Sequence, residues 1–354
     1  MKKLRIAQIA PLWFSIPPKK YGGTERIISL LTEELVKRGH KVTLFASGDS
    51  KTKANLLSPV KRGLIAQNIT WEDYWWDLFN HALAFEKANK FDIIHCHWNM
   101  LGVFFQKFIK TPTIHTMHNI PSTFTQKISY KRWKIFEYYK KNLNLVFISN
   151  SEKKNALSML KKVKNNWVVY NGIDTSLFKF NPNPKDYFVW IARICPAKGV
   201  ENAIKIAKTA KIKLVLAGQI QNHFQQYFKE KIKPHLGSQI KYIGEISQEQ
   251  LSDFYGSARG CLYPIKWEEP FGLIMAESMA CGTPVIAFRR GSVPEIIKHG
   301  KTGFIVKNIK ETVNAIKKID QIKRENCRKW VEKKFSVKKM VNDYEKIYYQ
   351  LLKK

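Results

Sequence analysis

Short apolar runs alternate along this chain with longer stretches of helical spacing. In the first half the runs are "LRIAQIAP", "KVTLFAS", "FDIIHCHW", "TPTIHTMHN", "LVFISNS" and "NNWVVYNG". In the second half they are "YFVWIARI", "IKLVLAGQ", "IKYIGEI", "GCLYPI", "TPVIAF" and "TGFIV". Each is the length of a strand and reads as a buried one. Segments such as "GTERIISLLTEELVKRG" lie between them and read as helices, and Gly39 ends this one where a helix stop is expected. Strands that alternate with helices predict α/β domains with doubly wound parallel sheets and right-handed crossovers. The stretch "NGIDTSLFKFNPNPKDY", rich in Pro, Asn and Asp, predicts a seam near 180–186. The expected layout is a first domain over 1–180 and a second over 186–335, facing each other across a cleft. The chain reads as helical after Val306, and a last helix over 336–354 is expected to pack back toward the first domain and brace both.

Composition narrows the class. With 354 residues, 44% of them hydrophobic, the chain can build two sizeable cores. Its five cysteines, Cys96, Cys195, Cys261, Cys281 and Cys327, form no CxxC pair, which fits a reducing cytosol and neither a disulfide framework nor a cysteine-rich zinc site. The start, "MKKLRIAQIAPLWFSIPP", is interrupted by Arg5 and Gln8 and reads as a first strand, not as a signal peptide. No run approaches the length of a membrane-spanning helix. Lys and Arg outnumber Asp and Glu by 61 to 28, a formal charge of +33. Such a field attracts nucleic acid, anionic lipid or an anionic substrate. The lysines are spread along the whole chain, which equally fits a solvated basic surface.

Ligands of doubly wound sheets collect at the carboxyl ends of the strands, so polar residues in the strand tails are the ones to read. Gly22 and Gly23 stand just before a helix, where a bare backbone can approach a phosphate or form a turn. His95 and His97 share one strand face, and His115 and His118 follow on the next run. No carboxylate or cysteine cluster accompanies them, so hydrogen-bonding core or cleft histidines are expected, with His118 the best placed at its strand end. There is no D-x-D pair to hold a nucleotide-bound divalent ion. Arg193 and Lys198 flank a turn before Gly199. They read either as surface charges or as a pair able to neutralise a diphosphate. In "KWEEPFGLIMAESMACGTPVIAF", Pro270 is expected at the first helical position, which leaves the N–H groups of Phe271, Gly272 and Leu273 for an anion. Glu277, two turns along an apolar face, needs a partner: ribose hydroxyls or a structural salt bridge.

These residues resemble the retaining glycosyltransferases of family 4, of bacterial type. The resemblance is carried by the Glu269-to-Glu277 motif together with "ARICPAKG", "NGID", "GGTERI", "FISNSE" and "GSVPEII", and covers nearly all of the chain. It implies the GT-B fold and transfer of a hexose from a nucleotide-diphosphate sugar, such as a UDP-sugar, to a glycan, lipid-linked or small-molecule acceptor in cell-envelope glycan synthesis. It implies no cofactor and no metal. By that resemblance Glu277 holds ribose hydroxyls, Arg193 and Lys198 bind the diphosphate, and Glu269 with the backbone of Phe271, Gly272 and Leu273 touches sugar and phosphates. His118 contacts a hydroxyl of the transferred sugar, and Gly23 with Gly22 approaches the diphosphate or acceptor. Same-face attack, with the leaving phosphate taking the acceptor proton, is expected ahead of a covalent route through Glu269.

The charge suggests one more partner. The segment 123–142 interleaves Lys127, Lys131, Arg132, Lys134, Lys140 and Lys141 with Tyr130, Trp133, Phe136, Tyr138 and Tyr139. It reads as a core-facing aromatic stripe with a solvated basic face, or as a contact with an anionic membrane, which would make a cytoplasmic protein peripheral on the inner face. A second cluster, Trp71, Trp75 and Trp76, either packs a core or contacts acceptor sugars. Two other functions remain: a related GT-B sugar-nucleotide enzyme such as an epimerase, and a basic nucleic-acid-binding protein. Against the latter, no RNP, helix-turn-helix or finger signature is present, and no specific nucleic acid is expected.

Overall fold

The computed structural model describes residues 2–19, 22–69, 73–97, 101–119, 136–160 and 163–353. They form two compact units: Met1–Gly172 together with Val337–Lys354, and Ile173–Ser336. The first holds strands β1 (Arg5–Ile9), β2 (Lys41–Phe45), β3 (Asn55–Leu57), β4 (Ile93–Cys96), β5 (Thr113–Met117), β6 (Asn144–Phe147) and β7 (Asn165–Val168). All pair in parallel, in the order β3-β2-β1-β4-β5-β6-β7. Helices α1 (Gly23–Lys37), α2 (Trp75–Glu86) and α3 (Asn150–Met159) belong to the same unit. The three-residue β3 escaped the sequence reading because it is short and only half-buried.

The second unit repeats the plan. Its strands are β8 (Lys185–Ile191), β9 (Leu214–Ala217), β10 (Ile240–Tyr242), β11 (Ala258–Tyr263), β12 (Val285–Phe288) and β13 (Gly303–Val306), parallel in the order β10-β9-β8-β11-β12-β13. Between and after them run α4 (Val200–Ala210), α5 (Gln248–Gly256), α6 (Leu273–Ala280), α7 (Val293–Ile296), α8 (Ile309–Ile316) and α9 (Arg324–Lys334). Phe188, Trp190, Leu214, Leu216, Ile204 and Ile286 are fully or nearly fully buried in its core. Each sheet reverses its strand order once, between β1 and β4 in the first unit and between β8 and β11 in the second. Such a switch point is where a doubly wound sheet opens a crevice at its strand ends.

The seam lies earlier than the sequence suggested. The proline-rich segment expected as a linker at 180–186 is tied into the second unit. Ile173 N–H donates to Phe335 O (2.6 Å), Lys179 N–H to Ser252 Oγ (2.8 Å) and Asn181 N–H to Cys281 O (3.1 Å). Arg328 donates to the carbonyls of Phe178 and Thr175. The units therefore divide at Gly172 and Ile173.

The last helix, α10 (Val337–Leu352), belongs to the first unit. Met340, Val341, Tyr344, Ile347, Tyr348 and Leu351 recur at spacings of three and four and are all buried. The helix packs beside α1, where Arg38 meets Glu345 (2.5 Å) and Asn342 (2.6 Å), and His40 meets the other Glu345 oxygen (2.8 Å).

Candidate functional site

In the second unit the site is built from the tails of β8 and β11, the two strands at the switch point. After β8 the chain makes a short turn, Pro196–Lys198, and Gly199 caps α4 with φ +74°. Only glycine fits there: a Cβ on Gly199 would lie 2.0 Å from the Pro264 carbonyl oxygen. Lys266 N–H donates to Ala197 O (2.9 Å) and Asn202 to Pro264 O (3.2 Å), so the two tails are clamped side by side.

That clamp sets Lys198 against Glu269. Their Nζ and Oε2 atoms are 3.1 Å apart, with side chains 14% and 9% exposed, so the pair is well shielded from water. Tyr263 Oη (2.5 Å) and Trp267 Nε1 (2.9 Å) donate to the same carboxylate oxygen. Lys198 also lies over the Trp267 ring, 4.1 Å from its centroid. Burial and the neighbouring Glu269 carboxylate drive the Tyr263 phenol well above its usual range, so it stays a donor. Glu268 accepts from Gly291 N–H (2.5 Å), and the Glu269 carbonyl from Ser292 N–H (2.8 Å), which pins the loop from outside.

The helix after this loop begins later than expected. Pro270 precedes it, Gly272 is its N-cap with φ +79°, and Leu273 is its first residue. The donors at its end are therefore those of the first turn from Leu273, and Met275 N–H is already bonded to Gly272 O. Phe271 is buried, with its carbonyl held by Ser292 Oγ (2.8 Å). Glu277 is buried and accepts from Tyr255 Oη (3.2 Å). Arg193 donates to Gln221 after β9 (3.5 Å). Tyr263 and Tyr255 were missed in the sequence reading. Tyr263 ends β11, and the rule of reading strand tails would have found it. Tyr255, inside a helix, carries no such signal.

In the first unit the corresponding tails carry histidines. His95 lies in β4, His97 just after it, His115 in β5 and His118 just past β5. Gln8, from β1, accepts from His97 Nε2 (2.5 Å), and His97 Nδ1 lies 3.0 Å from His118 Nε2. His95 is bonded on both nitrogens, to Tyr348 Oη and Thr116 Oγ1, each at 2.7 Å. His115 Nε2 meets Gln106 (3.0 Å). Burial holds His115 and His118 down at about 3 and drives His95 and His97 well below the ordinary histidine range, so all four are neutral at pH 7. Among the described residues, no group of three or more His, Cys, Asp or Glu is placed to hold a metal ion.

Gly22 caps α1 with φ +144°, and Gly23 is the first helical residue. Glu25, in that first turn, is buried, and its carboxyl is pushed up to about 7 by burial. Of the segment 123–142, only 136–142 is described. There Phe136 and Tyr139 pack against the core of the first unit, while Tyr138 is exposed. Lys127, Tyr130, Lys131, Arg132, Trp133 and Lys134 lie outside the described residues, as does Trp71. Trp75 and Trp76 do not pack a core: both lie in the exposed first turn of α2 beside Tyr74 and Phe79. The five cysteines are buried and free. Among the described residues, no helix is long and apolar enough to cross a membrane.

Comparison with known proteins gives the same architecture a family. Residues 21–177 match the family model "Glycosyltransferase Family 4", and residues 173–336 match "Glycosyl transferases group 1". An uncharacterized glycosyltransferase of Methanocaldococcus jannaschii is 26% identical over 84% of this chain and 85% of its own length. Sucrose-phosphate synthase from Thermosynechococcus elongatus superposes with a TM-score of 0.81 at 21% identity, covering 99% of both chains. Anabaena HepE in complex with UDP and glucose superposes with a TM-score of 0.75 at 17% identity, covering 98% of this chain and 100% of that one.

Proposed function

The chain belongs to the glycosyl transferases group 1, with the GT-B architecture of two Rossmann-like domains, and from that premise we propose that it moves a hexose from a UDP-sugar to an acceptor with retention of configuration. The observation that carries the site is the buried Lys198–Glu269 pair at the switch point of the second sheet, beside the N-terminus of α6. The structural relative whose complex contains UDP and glucose supports the donor class.

In this reading Glu277, one oxygen already held by Tyr255, accepts from the ribose hydroxyls. Arg193, Lys198 and the end of α6 stand as fixed positive elements toward the diphosphate, where charge builds as the glycosidic bond breaks. Glu269, held by three donors, turns toward the sugar, with the backbone of Phe271, Gly272 and Leu273 beside it. The bond from the anomeric carbon to phosphate breaks, and its electron pair leaves with the diphosphate. The acceptor oxygen attacks on the same face, and its proton passes to the leaving phosphate oxygen. No metal or other cofactor takes part. His118 offers a ring nitrogen to a sugar hydroxyl, while Gly22 and Gly23 leave room for substrate at the start of α1. The acceptor is a glycan, a lipid-linked sugar or a small molecule of the cell envelope, and the protein works in the cytoplasm, at the inner face of the membrane when the acceptor is lipid-linked.

The test is release of UDP from UDP-glucose, after a thermal-shift screen of nucleotide sugars has ranked the donors. Glu277→Ala should reduce turnover of the best binder to background. Turnover unchanged in that variant would refute the assignment of the donor site, and no stabilisation by any nucleotide sugar would refute the donor class.

A further inference from the structure

Seven side chains of the first unit form one hydrogen-bonded run: Tyr344, Thr116, His95, Tyr348, Gln8, His97 and His118. Six are buried, and His118 is the half-buried end. Such a run has a polarity, because each neutral imidazole carries one N–H and one lone pair and each hydroxyl has one proton. Where ring nitrogens are linked to one another or to an amide oxygen, one member's orientation therefore fixes its neighbours.

Gln8 is that member. Its amide oxygen faces His97 Nε2 (2.5 Å) and its amide nitrogen faces Tyr348 Oη (3.3 Å). An oxygen has no proton, so His97 must donate from Nε2. His97 Nδ1 is then a bare lone pair, and His118 must donate to it from Nε2 across 3.0 Å. On the other side the Gln8 amide donates to Tyr348, which leaves the Tyr348 proton for His95 Nδ1 (2.7 Å). His95 Nε2 donates to Thr116 Oγ1 (2.7 Å), and Thr116 donates to Tyr344 Oη (3.0 Å). Every link is satisfied with all three histidines neutral. Reversing the amide would reverse every donor in the run and turn His118 Nδ1 into an N–H.

We propose that Gln8 is a positioning residue that fixes the tautomer of His118 through His97, so that His118 Nδ1 is a hydrogen-bond acceptor for a donating hydroxyl of the sugar. The sugar contact rests on the functional reading above; the tautomer relay stands on the hydrogen bonds alone. The C-terminal helix takes part through Tyr348, which joins Gln8 to His95, and Tyr344, which ends the run.

The relay is read by long-range ¹H–¹⁵N NMR of histidine-labelled full-length protein at pH 7, which needs no substrate. In the wild type both His97 and His118 should carry their proton on Nε2. Gln8→Leu removes the acceptor, and the Nδ1-protonated form should appear at His118. Gln8→Glu should restore the wild-type pattern, because a buried carboxyl kept neutral accepts through its carbonyl and donates through its hydroxyl as the amide does. An Nδ1 proton on His118 in the wild type overturns the proposal, as do tautomers unchanged in Gln8→Leu. With UDP-glucose as probe, Gln8→Leu should lower kcat for UDP release at least tenfold with little change in KM, and Gln8→Glu should recover most of it. Equal loss in Gln8→Leu and Gln8→Glu would overturn the positioning role. His118→Ala separates the two claims: wild-type turnover there removes the sugar contact and leaves the tautomer result standing.

Discussion

The two crevices of this molecule sit at equivalent places and solve opposite problems. Both lie at the carboxyl ends of strands flanking a switch point, β1 and β4 in one unit, β8 and β11 in the other. In the second unit the strand tails present charge: Lys198 and Glu269 face each other at 3.1 Å, with Tyr263 and Trp267 donating to the same carboxylate. In the first unit the tails present groups that could be charged and are not, because burial, aided at His95, His97 and His115 by neighbouring imidazoles, holds four histidines neutral. One topology therefore supplies a charged crevice or a neutral one according to what stands in the strand tails. The charged crevice suits a leaving diphosphate, and the neutral one suits hydroxyls, which need directed donors and acceptors more than charge.

The comparison breaks first at Lys198. Lys198→Met keeps most of the unbranched side chain and removes its charge. Glu269 then remains in a shielded site with donors from Tyr263 and Trp267 but no cation. Removing one partner of a buried pair typically costs about 3–5 kcal/mol, and those two remaining donors place this case at the lower end. If Lys198 faces developing negative charge as proposed, its loss lowers turnover by about 10²–10³. UDP release from UDP-glucose and urea unfolding measure the two effects. A rate within about threefold of wild type would mean that charge at this crevice is structural only.

How far the sequence foretold this contrast depends on the range of the signal. The alternation of apolar runs marked every strand except β3, because burial on both faces of a parallel sheet leaves a plain pattern. Glu269 and Lys198 were legible as polar residues in strand tails. Their mutual contact was not, because it depends on how two loops separated by about seventy residues are clamped through Gly199 and Pro264. The position of α6 was misjudged by the same kind of gap. Pro270 suits a first helical turn, yet the Glu269 and Phe271 carbonyls are taken by Ser292, which keeps the chain out of the helix until Gly272 turns it. The histidine run was even less visible. Four histidines at strand ends could be seen, but Tyr344 and Tyr348, which complete the network, lie more than 220 residues away in sequence, on the last helix.

Acid should break the neutral crevice before the charged one. A histidine whose folded pKa lies below its unfolded value contributes stability that is fully present above about 6.5 and lost as pH falls toward the folded value. His81, held down at about 4 by burial, His115 and His118, at about 3, and His95 and His97, lower than usual, all act in that direction. Each contributes a slope of up to about 1.4 kcal/mol per pH unit below 6.5. Glu25 opposes them. Its carboxyl is raised to about 7, so its contribution is present below about 4.5 and lost as pH rises to about 7, worth about 3 kcal/mol across that window. Urea unfolding at pH 8, 6.5 and 5 should therefore show the first unit weakening in acid. Glu25→Gln should raise its stability at pH 8 and steepen the acid loss. A stability flat from pH 8 to 5 in both proteins would show that these groups titrate alike in the folded and unfolded chain.

The smallest expected effect comes from the other aromatic feature of the first unit. The histidine crevice is buried; the first turn of α2 is its opposite, with Trp75 67% exposed, Tyr74 50% and Phe79 47%. The Tyr74 and Trp75 rings stack, 5.7 Å apart and 18° from parallel, and so shield little apolar area from water. A large hydrophobe stabilises by the area it removes from solvent, at about 25 cal/mol per Å², and an indole left mostly in water removes little. Trp75→Ser should therefore shift the unfolding free energy by no more than about 0.5 kcal/mol, as for surface substitutions generally. His95→Ala, which opens a cavity and leaves Tyr348 and Thr116 without their partner, should cost about 3 kcal/mol or more. Comparing the two variants by urea unfolding tests whether the weight of this unit lies in its strand tails. A loss at Trp75 as large as that at His95 would place part of the packing outside them, on the aromatic turn itself.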